Sequence, residues 1–397
     1  MKRVLYLTQR LPFPPNKGEK IRQYEVLRYL QRSFKVSLGT LVDDPADLAH
    51  VQTVQDFCPD AYIGTLDRRR AKVFCMRGLL TGDPLSVTFY RHTGLASWVK
   101  RQVAEVKPHL IFVCSSNMAP YVLDLPRQQS RFVVDLTDVD SEKWRAYAAS
   151  GSGPMRAVYR REWRQTAKLE SRIAREADAS LFVSAQEAAL FKRQHPQQAG
   201  RVHSISNGVD HAYFDPARPT NRPFDERPHF VFTGTMNYRP NVEAVDWFAH
   251  DILPRIRRVL PEAQFMIVGA NPAPAVAALG ELAGVSVTGR VGDVRPYIAH
   301  AVACVAPMRI ARGIQNKVLE AMSMARPVIV TSDALEGIDA APSTEVLLAD
   351  TPEEFAACCL AAVEPASAAI GQAARRRVIQ DYTWSERLRG LDALLLP

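Results

Sequence analysis

The stretch RIARGIQNKVLEAMSMARPVIVT, from Arg309 to Thr331, constrains the fold more than any other part of the chain. It follows the apolar run Val302 to Pro307, contains a glycine, and ends in Pro327-Val328-Ile329-Val330. The spacing predicts strand, glycine-containing loop, helix and strand, one βαβ unit. On the helix expected from Gln315 to Ala325, Val318, Leu319, Ala321, Met322 and Met324 supply apolar surface. Asn316, Lys317, Glu320 and Ser323 recur three or four residues apart and form one polar stripe. A helix N-terminus after a glycine loop attracts an anion, a lysine suits phosphate, and a carboxylate suits paired sugar hydroxyls. Diphosphate plus ribose fits that chemistry. The plainer alternative is an exposed Lys–Glu pair worth a few tenths of a kcal/mol.

A chain of 397 residues that is 47% hydrophobic can bury two cores of ordinary size. Its longest uncharged apolar stretch, Ala301 to Met308, is far shorter than the roughly 18 residues of a membrane span. Val4 to Leu7 is cut off by Gln9 and Arg10, so it reads as a first strand and not as a signal peptide. The cysteines, Cys58, Cys75, Cys114, Cys304, Cys358 and Cys359, include no Cys-x-x-Cys pair. That pattern is expected of a reduced, cytoplasmic protein with neither a zinc site nor a disulfide framework.

Charge divides the chain. Through Asn207 there are 32 Lys and Arg against 20 Asp and Glu, and beyond it 18 against 22. A basic first half calls for an anionic partner. No nucleic-acid module is visible. Arg68, Arg69, Arg70, Lys72 and Arg77, interleaved with Val73, Phe74, Met76, Leu79 and Leu80, read either as a solvated helix or as a basic amphipathic helix on an acidic membrane surface.

Strands expected at Val4–Thr8, Lys35–Val42, Ala61–Gly64, His109–Cys114, Arg131–Leu136 and Ala179–Ser184 alternate with helices, which argues for a parallel, doubly wound sheet. The first loop ends at Gly18, where Lys17, Lys20 and Arg22 at a helix start make an anion-accepting end. Ligands bind beyond the carboxyl ends of such strands. There lie Ser115-Ser116-Asn117 and an acidic segment with Asp135, Asp138 and Asp140. Asp140 or Ser141 also suits an N-cap. The run Arg160 to Glu176, with mixed charges at helical spacing, reads as a solvated face.

Ser206-Asn207-Gly208-Val209-Asp210 marks a boundary, since Asn-Gly suits a turn with positive φ, and four prolines follow between 216 and 228. From Phe230 the pattern restarts. Strands are expected at Phe230–Thr233, Phe265–Gly269, Val285–Thr288 and Val302–Val305, and Gly234 opens a loop carrying Asn237 and Arg239. The chain has no Gly-x-Gly-x-x-Gly after its first strand, no P-loop and no Gly-x-Ser-x-Gly, which disfavours a nicotinamide dehydrogenase, a P-loop NTPase and an α/β-hydrolase.

Gly313-x-x-x-Lys317-Val318-x-Glu320-Ala321-Met322, followed by Pro327-Val328-Ile329, resembles the nucleotide-sugar motif of family 4 GT-B glycosyltransferases. The resemblance is specific at 206–210 and 309–331 and weak over the first 130 residues. It implies two doubly wound parallel-sheet (Rossmann-like) domains facing across a cleft: an acceptor-side domain over 1–206, a linker over 207–226, a donor domain over 227–380, and a C-terminal helix over 381–397 crossing back. It implies a donor site of Gly18, Gly234, Asn237, Arg239, Val291, Arg309, Gly313, Asn316, Lys317 and Glu320, with Glu320 on the nucleotide ribose, Val291 near the base, and Arg239 and Lys317 on the diphosphate. Arg312 stands where many members have a second glutamate. Thr137-Asp138-Val139-Asp140-Ser141-x-x-Trp144 resembles a family segment that begins with a histidine near the acceptor. Threonine cannot act as a general base, so Asp138 or Asp140 would orient the acceptor hydroxyl.

The activity implied is transfer of a sugar from a nucleotide-diphosphate donor to a hydroxyl of a glycan or lipid-linked glycan. Retention of configuration, no metal or other cofactor, and exopolysaccharide synthesis at the inner face of a bacterial membrane are part of the same expectation. Two rivals remain, a nucleotide-sugar epimerase of the same fold and a catalytically silent nucleotide-sugar-binding protein.

Overall fold

A computed structural model describes the chain except Met1, Lys17, Arg77, Gln128, Gly151, Arg312, Gly313, Leu396 and Pro397. It divides into two compact units, residues 1–206 with 388–397, and residues 207–387.

The first unit holds a seven-stranded parallel sheet in the order β3-β2-β1-β4-β5-β6-β7. Its strands are β1 (Lys2–Leu7), β2 (Phe34–Val42), β3 (Ala61–Thr65), β4 (Leu110–Cys114), β5 (Arg131–Thr137), β6 (Ala179–Phe182) and β7 (Val202–Ser204). Every residue of β4 is buried, as expected when helices cover both faces of a parallel sheet and the strand reads as a continuous apolar run. The order reverses between β1 and β4, which pair in parallel from Val4↔Leu110 to Leu7↔Val113. That switch point is where an open α/β sheet offers a crevice. The helices used below are α1 (Gly18–Leu30), α2 (Arg68–Cys75), α3 (Asp140–Ser150) and α4 (Gly153–Glu176).

The second unit repeats the plan with six parallel strands in the order β10-β9-β8-β11-β12-β13. These are β8 (His229–Thr233), β9 (Gln264–Val268), β10 (Val285–Val287), β11 (Ala303–Ala306), β12 (Val328–Val330) and β13 (Leu347–Leu348). Its reversal lies between β8 and β11. The relevant helices are α5 (Arg239–Trp247), α6 (Asn316–Ser323) and α7 (Ala368–Arg377). Phe230, Phe232, Phe248, Phe265 and Phe355 are wholly buried and anchor its core.

The strands fall where alternation places them, apart from β7 and β13. These short edge strands, of three and two residues, carry too little pattern to be read from sequence.

Gly208 departs from the sequence reading. It is absent from the glycines with positive φ; what requires glycine is proximity, because a Cβ there would lie 2.5 Å from the backbone nitrogen of Trp384. Val209 N–H donates to the Tyr382 carbonyl at 2.8 Å, so this crossing is stitched to the segment near 383 within the second unit. Residues just after it are also packed and not extended: Phe214 is buried, and its carbonyl accepts from Ser323 Oγ at 2.8 Å and from Arg375 at 3.2 Å. The final segment is two short helices, Trp384–Arg389 and Asp392–Leu395.

Candidate functional site

Helix α6 begins at the carboxyl end of the second sheet. Val318, Leu319, Ala321 and Met322 are buried, and they hold it against β11 and β12. It ends with Ala325 in the left-handed region at φ 53°, where Arg326 N–H returns to the Ala321 carbonyl at 3.2 Å, and Pro327 prevents continuation.

Lys317 points into the β8/β11 switch point. Its Nζ donates to Asn241 Oδ1 at 2.6 Å, lies 3.3 Å from Met308 Sδ and sits 4.2 Å from the centre of the Phe232 ring. All three partners are neutral. Burial pushes the Lys317 ammonium down to about 7, with Glu320 pulling it back. Burial likewise pushes the Glu320 carboxyl up to about 7, against the pull of Lys317. Both side chains retain some solvent access, so dry neighbours rather than complete enclosure set these directions. Lys317 is the charge that acts on the Glu320 carboxylate, and among the described residues the buried Asn316 Oδ1 has no hydrogen-bond partner. Native interiors seldom leave such groups unsatisfied without a ligand or water to take them up.

Ser323 does not belong to this group. It is fully buried and bonded to the Phe214 carbonyl, because position 323 lies two turns along the helix, where the core closes over it. Asn241, which sequence reasoning passed over, belongs to the group. It is buried and spans Lys317 and the Thr235 carbonyl, the latter at 2.9 Å. An asparagine in the first turn of the helix after the Gly234 loop was the available signal. Gly234 makes room for it, since a Cβ there would lie 2.7 Å from Asn241 Nδ2 and 3.5 Å from Lys317 Nζ.

The remaining donor-side residues are not gathered around Lys317. Asn237 is exposed. Arg239 is 84% exposed along its side chain and is paired with Glu243, one turn on, at 2.8 Å. Arg309 lies over the Trp247 ring at 5.0 Å. Val291 is half-buried against the core. Gly313, with Arg312, lies outside the described residues.

At the carboxyl end of the first sheet the structure corrects the expected anion-accepting helix start. Lys20 is wholly buried and paired with Asp47 at 2.9 Å, and Arg22 is buried and paired with Asp135 at 2.7 and 3.2 Å. The two cations, two residues apart, leave the helix in different directions, and protein covers α1 on both, so each is neutralised by its own carboxylate. Asp135 is therefore structural. Gly18 opens α1 at the surface, with nothing near its Cβ position, and Lys17 lies outside the described residues.

Asp138 and Asp140 sit beyond β5, where pairing with β6 slips between Asp135 and Thr137. Thr137 adopts φ 71°, and Ser115 beyond β4 adopts φ 79°. Left-handed backbone at a β-branched residue costs on the order of 1 kcal/mol or more and tends to cluster at functional sites. Asp138 is exposed on one side and crowded by protein on the other. Desolvation, then the charges of Glu187 and Asp140, push it up to about 6. Burial also raises Asp140, against a hydrogen bond from Ser116 Oγ at 3.0 Å. Glu187 accepts from Val139 N–H at 2.7 Å and Glu170 from Ser141 N–H at 3.0 Å, so two glutamates on other helices hold the loop. Ser141 is fastened by Glu170 and Asp140 by Ser116, where the sequence suggested a self-contained N-cap.

Glu170 and Glu162 are buried, which corrects the solvated-face reading of α4. They lie eight residues apart, two helical turns on one face, with Thr166 between them. Burial pushes Glu170 up to about 8.

Among the described residues no cluster of three or more His, Cys, Asp or Glu side chains is arranged to hold a metal ion, and no single helix is long and apolar enough to cross a membrane.

Residues 227–364 match the family model described as Glycosyl transferases group 1. Sucrose-phosphate synthase from Thermosynechococcus elongatus superposes with a TM-score of 0.67 at 17% identity, over 99% of this chain and 98% of that one. Anabaena HepE in complex with UDP and glucose gives 0.67 at 13% identity, over 100% and 99%. The fold is GT-B. A TarM variant of S. aureus, in complex with Fondaparinux, alpha-GlcNAc-glycerol and UDP, matches at 0.66 and 10% identity over the full length of both chains. No curated protein matches. The second unit thus carries a glycosyltransferase domain, and its match encloses Asn241, Asn316, Lys317 and Glu320.

Proposed function

We propose that the chain transfers a sugar from a nucleotide-diphosphate donor to a hydroxyl of a glycan or lipid-linked glycan. The observation that carries this reading is the set of unsatisfied groups on α6. Lys317 is hydrogen-bonded and packed only by neutral partners, Lys317 is the one charge acting on the desolvated Glu320 carboxyl, Asn316 Oδ1 has no hydrogen bond among the described residues, and all three lie inside the glycosyl transferases group 1 match.

A diphosphate beside Lys317 restores the ammonium to full charge, and the amino end of α6 adds its dipole. Both stabilise the negative charge that grows on the leaving diphosphate as the bond to the anomeric carbon breaks. Glu320 accepts from the two ribose hydroxyls. Arg239, released from Glu243, supplies a second cation. In the first unit Asp138, with its carboxyl near 6, or Asp140 orients the acceptor hydroxyl and takes its proton as the new glycosidic bond forms. We assign the transfer retention of configuration and no requirement for metal, with a place in bacterial exopolysaccharide synthesis.

The setting we propose is the inner face of the cell membrane. Exposed Val73, Phe74, Met76 and Leu79 stand among the exposed cations Arg68, Arg69, Arg70 and Lys72 on and just after α2. Apolar tips ringed by positive charge suit an acidic lipid surface.

A thermal-shift screen of UDP, GDP, ADP and TDP sugars, followed by nucleotide-release assays with and without glycan acceptors, tests the reading. Stabilisation by one donor, with diphosphate release only when acceptor is added, supports transfer. A donor that binds but releases nothing with any acceptor supports the silent binding protein, for which Thr137 in place of a basic residue is the favouring observation. No stabilisation by any nucleotide overturns the donor-site assignment.

A further inference from the structure

A cavity of about 280 Å³ in the 207–387 unit opens at the amino ends of β11 and β12, the opposite end of the sheet from Lys317. Arg222, His300, Arg326, Glu364, Ser367 and Ala368 line it. Glu364 is the sole carboxylate on its lining among the described residues, against two guanidinium groups.

The arginines are unevenly satisfied. Arg326 donates a long bond from Nη1 to the Ala301 carbonyl at 3.5 Å, while its buried Nε has no partner among the described residues. Burial holds its guanidinium below the usual arginine range; the Cys304 thiol opposes the shift and the nearby charge of Arg222 adds to it. Arg222 is exposed and pairs with Glu226 at 2.7 Å, a carboxylate 91% open to solvent, so solvent screens that pairing and leaves it cheap to exchange. An arginine after a helix C-terminus ordinarily caps the last carbonyls, yet that role leaves the Nε donor unused and does not account for a second arginine beside it.

The far wall is the start of α7. Ser367 flanks this ten-residue helix in helical backbone conformation and makes no side-chain cap; its hydroxyl donates to the Ala362 carbonyl at 2.8 Å. The turn Pro365–Ser367 leads straight into α7 and its carbonyls take up Ala368 N–H, so α7 contributes the positive end of its dipole beside the two guanidinium groups and not a free backbone donor. Like charges gathered at a concave site with an idle donor are stabilised by a bound anion.

We propose that this cavity binds a phosphate group, free or carried on a small molecule or lipid head, bridged by Arg222 and Arg326 and seated at the amino end of α7. The site is separate from the donor assignment and does not depend on it. The test is calorimetric titration of the full chain with inorganic phosphate, repeated in a Lys317→Ala background that removes the other phosphate-seeking cation. The expected result is one saturable event per chain that survives Lys317→Ala and weakens at least about tenfold in Arg326→Met and in Arg222→Ala, as for a lost charge-assisted hydrogen bond. Arg222 is exposed, so its variant keeps the fold and serves where Arg326→Met does not. Sedimentation with phosphatidic-acid against phosphatidylcholine vesicles identifies the source. Binding to the acidic vesicles that needs both arginines and is displaced by phosphate assigns a lipid head, and its absence beside saturable phosphate binding assigns a soluble ligand. No saturable phosphate binding, or binding indifferent to both substitutions, overturns the proposal.

Discussion

The carboxyl ends of the two sheets are built on one plan and finished differently. In the first unit the buried cations have found protein anions: Lys20 has Asp47, Arg22 has Asp135, and the half-buried Arg10 has Asp43 and Glu19. In the second, Lys317 has an amide, a thioether and an aromatic ring, and Glu320 has only the distant charge of Lys317. A switch point whose charges are matched internally is held together by them. One whose charges are unmatched is arranged for something that arrives from outside.

That contrast is broken most directly at Arg22. Arg22→Ala strands Asp135 in the core, and removing one partner of a buried pair costs about 3–5 kcal/mol. Urea denaturation should show that loss. A value below about 1 kcal/mol would make the first sheet's pairs ornamental and erase the difference.

Glu320→Ala and Lys317→Ala should behave in the opposite way. Each removes a desolvated, unmatched group, so the ligand-free protein should be unchanged or slightly more stable. Nucleotide stabilisation, about 2.7 kcal/mol at one hundred times Kd, should disappear from both. A thermal shift as large as that of the parent would show that α6 is not the donor site.

Glu170 sharpens the comparison by pH. Its carboxyl is raised from 4.5 to about 8 in the folded chain, so between those values the folded state holds a proton that the unfolded state has released. Its contribution is complete below about 4.5 and is lost as pH rises towards 8, at up to about 1.4 kcal/mol per pH unit. Glu170→Gln keeps an acceptor for Ser141 N–H and should flatten that slope in denaturation curves taken from pH 5 to 8. A slope identical to the parent's would mean that Glu170 is ionised in the fold.

The smallest effect belongs to Arg239→Ala. Its exposed pair with Glu243 is worth at most about 0.5 kcal/mol of stability. A loss of nucleotide affinity well beyond that figure would show that the side chain leaves Glu243 for the diphosphate.

Much of the architecture is legible in the residues. Continuous apolar runs such as Leu110–Cys114 and Val328–Val330, short and alternating with helical stretches, read as parallel strands covered on both faces, and the restart of the pattern at Phe230 announces a second sheet. The motif around Lys317 and Glu320 is equally plain, because residues three apart on a short helix must share a face.

Satisfaction was not legible. Sequence placed Lys20, Arg22 and Lys317 alike, each as a cation in the first turns of a helix after a loop. Only the packed structure shows that Asp47 and Asp135, 27 and 113 residues away in the chain, neutralise the first two, while Asn241, 76 residues away, gives the third a neutral partner and no counter-charge. Glu170 and Glu162 looked like surface charges for the same reason, since periodicity fixes which residues share a face and says nothing about what that face meets. The chain by itself determined two doubly wound sheets and a helix with a polar stripe between two strands of the second. Tertiary structure decided which charges are consumed by the fold and which are left over, because pairing at long sequence separation depends on where the strands carry their ends and not on local spacing.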